Sequence, residues 1–71
     1  MSPPDPILKA EVKDWLWRVR LTGAEAARRL EIPWGTWRMI VDKGAFPYPR
    51  LLRAAMDVME QERQAEIAAE D

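Results

Sequence analysis

Cysteine and histidine are both absent from this 71-residue chain. Their absence removes disulfides, the thiolate and imidazole ligands of most transition-metal sites, and any chemistry that turns on an imidazole base. Strict alternation of apolar and polar residues, the mark of a half-buried strand, is missing throughout, as are internal repeats and low-complexity runs. No apolar stretch approaches the ~20 residues that span a bilayer, and residues 1–6 lack the basic start and apolar run of a secretory leader. A soluble cytoplasmic protein without a membrane partner is expected. No catalytic role is expected, because carboxylates such as Asp14, Glu25 and Asp42 stand in no motif that gives them a catalytic setting. No metal, cofactor or small-molecule ligand is indicated.

What is present is unusual in one respect. Trp15, Trp17, Trp34 and Trp37 are four tryptophans in a chain long enough for one domain at most. A domain of this size buries only about 60% of the surface its unfolded chain exposes, so its core must be economical. Each buried indole removes roughly 150–250 Å² from water, and at least two of the four are expected to form that core. The formal net charge of −1 hides a strong asymmetry: residues 9–58 carry ten Lys or Arg against six Asp or Glu, whereas residues 59–71 carry Arg63 against five acids. Such a split permits nucleic-acid binding by the first part and is equally the pattern of a solvated helix face with an acidic tail.

The chain reads as four helices. After an extended leader over residues 1–5, Asp5 can cap a first helix whose opening turn accepts Pro6, since proline has no N–H to leave unpaired there. Leu8, Val12, Trp15, Leu16 and Val19 recur at the three-and-four spacing that lines one helical face. Trp17 falls off that stripe, either at its boundary or against a second chain. Thr22 followed by Glu25 is a capping-box pattern, in which each side chain can satisfy a backbone N–H at a helix start. It opens a second helix over about 23–30. Glu31 and Ile32 form a short break, and Pro33 opens a third helix through Trp34, Trp37, Ile40 and Val41 to Asp42, closed by Gly44. Residues 45–49 form a rigid connection containing Phe46, Pro47, Tyr48 and Pro49. From Arg50 onward the chain is helical again, and its stripe of Leu52, Ala55, Met56 and Met59 weakens toward Arg63 and Ile67. That second half has little to bury within a monomer, and is either a dimerisation element or a tail.

Two short helices joined by a tight break are the unit that places its second helix in a DNA major groove. Ala27 stands where the two helices cross and a larger side chain would push them apart. Ala26, Leu30, Ile32, Trp37 and Ile40 occupy positions that should face the core. The run from Leu21-Thr22-Gly23-Ala24-Glu25-Ala26-Ala27 through Leu30-Glu31-Ile32 to Trp37-Arg38 resembles the lambda-repressor and Cro type of helix-turn-helix. Pro47-Tyr48-Pro49 and Leu51-Leu52-Arg53-Ala54-Ala55 look like the connection and following helix of small phage regulators, including the anti-CRISPR-associated repressors. The turn carries Glu31 where that family has glycine, and Pro33 stands in place of its usual Ser or Thr cap.

The resemblance implies an all-α, four-helix domain over residues 6–58 containing a helix-turn-helix, with a longer C-terminal helix whose acidic end covers residues 59–71. It implies sequence-specific binding of duplex DNA by a transcriptional regulator, a repressor acting as a homodimer on an inverted repeat. The outward positions of the recognition helix, about 33–42, are then Trp34, Gly35, Arg38, Met39 and Asp42. Arg38 is the leading base reader, since an arginine there can donate two hydrogen bonds to guanine. A surface salt bridge is its plainer role. Trp34 stands open between core, interface, DNA contact and plain exposure. Arg28, Arg29, Lys43, Arg50 and Arg53 become phosphate contacts or simply solvated charges. Thr36 either donates to phosphate or caps. Trp17, Met56, Met59, Arg63 and Ile67 are candidates for the dimer interface. A second function class remains beside this one: a protein-binding module, an antitoxin or an inhibitor, using an apolar face with Trp17, Trp34 and Met39.

Overall fold

The computed structural model describes residues 3–70. Met1 and Ser2 of the expected leader and Asp71 of the acidic end lie outside the described residues. The chain forms an all-α domain of four helices, α1 Pro6–Val19, α2 Gly23–Arg29, α3 Trp34–Lys43 and α4 Pro49–Glu70, the last being the longest. No helix among the described residues is long and apolar enough to cross a membrane.

Each boundary has a local cause. Asp5 is extended, and its carboxylate accepts from the N–H groups of Ile7 at 2.9 Å and Leu8 at 3.3 Å, while Pro6 occupies the first turn. α1 stops at Arg20, which turns left-handed (φ 55°) and returns its N–H to the Leu16 carbonyl. At the start of α2 the Thr22 hydroxyl accepts from Glu25 N–H at 3.2 Å. The reciprocal half of the expected capping box is replaced: the Glu25 carboxylate accepts instead from the guanidinium groups of Arg28 and Arg29.

α2 ends in a Schellman turn. Glu31 N–H donates to the Arg28 carbonyl and Ile32 N–H to the Ala27 carbonyl, with Glu31 left-handed at φ 58°. The backbone conformation for which glycine is suited is thus adopted by a glutamate. α3 begins after Pro33, which makes no side-chain cap, and closes at Gly44 with φ 69°. Gly44 is required twice over, because a Cβ there would also lie 2.0 Å from the Asp5 carbonyl oxygen.

The core draws on every helix. Leu8, Val12, Trp15 and Val19 bury the expected face of α1, with Leu16 half-buried beside them. Ala26 and Ala27 let α2 approach closely, and Trp37 and Ile40 come from α3. Of the four tryptophans, Trp15 and Trp37 are buried whereas Trp17 and Trp34 are exposed. The connection to α4 is anchored by Phe46, half-buried against the core and edge-on to the exposed ring of Tyr48 at 6.3 Å.

α4 corrects one expectation. In its first half Met56 and Met59 are core residues of the monomer, so neither is free to line a dimer interface, while the described residues beyond Met59 include no buried one, as expected. Arg63 is likewise committed, donating to the Val19 carbonyl at 2.9 Å at the C-terminal end of α1 and pairing with Glu66. The physical reason is that α4 continues past the end of α1, and a long guanidinium side chain there finds an unpaired helix-end carbonyl.

Candidate nucleic-acid interface

The outer face of α3 is open. Trp34 is 55% exposed and Met39 39%, Arg38 and Asp42 are exposed, and a Cβ built on Gly35 would meet nothing within 4 Å. All five expected base-reading positions therefore lie on solvent-facing surface of one helix, the spacing of α3 turning Trp37 and Ile40 inward. Arg38 and Asp42, one turn apart, approach to 3.8 Å, a loose exposed pair that water and salt weaken further. A planar guanidinium held this lightly is available to a fork of acceptors such as guanine O6 and N7.

The expected phosphate contacts divide into two groups. Lys43 and Arg50 are exposed, and neither forms a salt bridge among the described residues. Thr36 is half-buried and does not cap its helix, whose N-cap is Pro33. Arg28, Arg29 and Arg53 are turned to carboxylates of the same chain. Arg28 pairs with Glu25; Arg29 bridges Glu25 and, at 2.9 Å, Glu66 on α4; Arg53 meets Glu11 on α1 at 2.7 Å. Hydrogen bonds from Arg28 and then Arg29 hold the Glu25 carboxyl down at about 2 against its ordinary 4.5. Glu66 is lowered too, first by Arg29. Arg29 clamps α2 to α4 and Arg53 clamps α4 to α1, whereas Arg28 pairs only within α2 and retains much open surface.

Of the remaining interface candidates, Trp17 is 85% exposed and Ile67 half-buried. Sequence reasoning passed over two features. On α4, Leu51 and Val58 form an exposed apolar stripe beside the buried one, joined by Ala55, which was expected on the buried stripe and is exposed instead. On α1 and at its C-cap, Lys9, Lys13 and Arg20 form no salt bridge among the described residues, unlike Arg18, which pairs with Glu60. Both were legible in principle, since each is a three-and-four pattern on a helix. No group of three or more carboxylates positioned to hold a metal ion occurs among the described residues.

Comparison with family models, with curated proteins and with solved structures gives no match to this chain.

Proposed function

We propose that this protein binds duplex DNA sequence-specifically and regulates transcription, as a repressor that inserts α3 into the major groove. One observation carries the reading. α2 ends in a left-handed Schellman turn and lays Ala26 and Ala27 into the core, so α3 is braced from behind while Trp34, Gly35, Arg38, Met39 and Asp42 stay open along its front. The resemblance of this segment to lambda-repressor and Cro-type regulators supports the same conclusion. Arg38 reads guanine, Met39 and Trp34 supply apolar contact to thymine methyl groups, and Lys43 and Arg50 hold phosphates.

One recognition helix reads too few base pairs to select a site, so two copies act together on an inverted repeat. With Met56, Met59 and Arg63 committed inside the monomer, the pairing surface is the exposed stripe of Leu51, Ala55 and Val58 on α4. Repression follows from occlusion of polymerase. The exposed Trp34 and Met39 also favour a second reading, in which the same face docks a protein in the manner of an antitoxin or inhibitor. A gel-shift titration with DNA from upstream of the protein's own gene, against scrambled competitor, tests the proposal. A retained, competitor-resistant shift is expected; no shift at any concentration would leave only the protein-docking reading.

A further inference from the structure

The free positive charge of this domain is not distributed evenly. Six arginines, Arg18, Arg28, Arg29, Arg53, Arg63 and, more loosely, Arg38, are paired with carboxylates of the same chain. Three cations without such a partner among the described residues, Lys9, Lys13 and Arg20, lie on α1 and at its end. Lys9, Lys13 and Trp17 follow one another at intervals of four, which places them along one face of α1 over roughly 12 Å at 1.5 Å per residue, and Arg20, the left-handed residue that caps the helix, follows at its end. The acids of the same helix lie elsewhere: Glu11 is bonded to Arg53, and Asp14 lines a hollow against α4 with Arg18, Arg53 and Asp57. α1 is therefore electrically two-sided, with its carboxylates toward α4 and its lysines away from it.

That basic face is tied to the recognition helix. Asp5 N–H donates to the Lys43 carbonyl, the last residue of α3, and the Asp5 carbonyl accepts from Lys9 N–H at 3.0 Å. Gly44 sits so close that a Cβ on it would lie 3.0 Å from Lys9 N. The basic row thus starts at the C-terminal end of α3, beside Lys43, and is carried rigidly with it. In the middle of the row stands Trp17, 85% exposed, at the edge of a shallow hollow formed with Leu16, Arg20 and Leu21. An indole left in water between cations suits a surface that is anionic and also offers apolar sugar edges.

We propose that the α1 face bearing Lys9, Lys13, Trp17 and Arg20 is a second contact surface for duplex DNA, lying on the sugar-phosphate backbone that borders the groove occupied by α3. The inference rests on the DNA-binding reading and adds to it a flank that carries no base information. It increases affinity for every sequence alike and fixes the angle at which α3 enters the groove.

The test is the salt dependence of binding by the full chain to its upstream DNA and to a mixed-sequence duplex, with and without Lys9→Gln and Lys13→Gln together. Each phosphate neutralised contributes a slope of ~0.9 in log K against log salt, so the double variant should lose close to two units of slope on both duplexes while keeping its preference between them. Lys9→Arg with Lys13→Arg should restore the slope. DNA should also shield Trp17 from acrylamide, seen as protected fluorescence in a Trp34→Phe background that is lost when Trp17→Phe is added. An unchanged slope and affinity in a double variant of normal helicity would overturn the α1 surface while leaving DNA binding by α3 in place. No duplex binding by the unsubstituted protein would remove both.

Discussion

The indole N–H of Trp15 donates to the Met56 carbonyl oxygen at 2.9 Å, joining α1 to α4 across 41 residues of sequence inside the core. A carbonyl within a helix has a second lone pair, so Met56 can accept this bond without giving up its helical one. The bond fixes the register of α4 against α1. Trp15→Phe keeps most of the buried ring and removes only the donor; it should cost ~0.5–1.5 kcal/mol. Trp15→Ala should cost ~3–5 kcal/mol, enough to unfold much of so small a domain. Thermal melts of the two variants check the order, and a Phe variant as unstable as the Ala variant would show that the hydrogen bond does more than the ring.

Two left-handed residues at the ends of α2 and α3 should respond oppositely to substitution. Glu31, at φ 58°, is held in a conformation that costs a non-glycine residue roughly 1–2 kcal/mol, partly offset by the greater unfolded-state entropy of glycine. Glu31→Gly should therefore stabilise by about 0.5–1 kcal/mol, a rise of a few degrees in melting temperature. Gly44→Ala should destabilise by more than the left-handed cost alone, because its Cβ would press to 2.0 Å from Asp5 O. Equal effects of the same sign would contradict the backbone assignment of one of these turns.

Much of this fold was legible in the sequence because its cues are local. The α1 stripe follows the helical period, Asp5 and Thr22 are caps, and Gly44 is a stop. The outward face of α3 follows once Trp37 and Ile40 are placed inward. What escaped was set by tertiary register. Arg29 meets Glu66 across 37 residues and Arg53 meets Glu11 across 42, and no spacing rule links such partners. Met56 and Met59 stood on the apolar stripe of the last helix yet stayed open to a dimer interface, because the distance α4 runs alongside α1 is invisible in the chain. The Glu25–Arg28–Arg29 cluster was readable, being at i+3 and i+4, but it competes with the capping-box reading of the same glutamate.

That cluster makes a prediction about acid. A carboxyl whose folded value is depressed contributes stability above its unfolded value and loses it as pH falls through the folded one. For Glu25 the window runs from its ordinary 4.5 down to about 2. Glu66, lowered chiefly by Arg29, acts in the same direction. The unsubstituted protein should lose melting temperature across that window, and Glu25→Gln should lose less of it. Because these groups are exposed, high salt should shrink the difference. An identical acid profile for Glu25→Gln would show that the Glu25–Arg28–Arg29 cluster within α2 does not form in solution.

Base reading and pairing lie on different helices in the proposed function, which makes them separable. Arg38 is on α3, exposed, and bound only loosely to Asp42, so Arg38→Ala should leave folding and self-association intact. Its cost falls on recognition: ~1–3 kcal/mol per half-site, with relaxed preference mainly at one base pair. Leu51 and Val58 are exposed on α4, and replacing both with glutamate puts like charges across any two-fold contact on that stripe. This variant should sediment as a monomer and lose cooperative binding to paired half-sites, yet keep the same base preference on one half-site. Sizing and titration of both variants distinguish the defects. An Arg38→Ala protein with unchanged site preference would end the base-reading role, and a double glutamate variant that still pairs would move the interface off this face of α4.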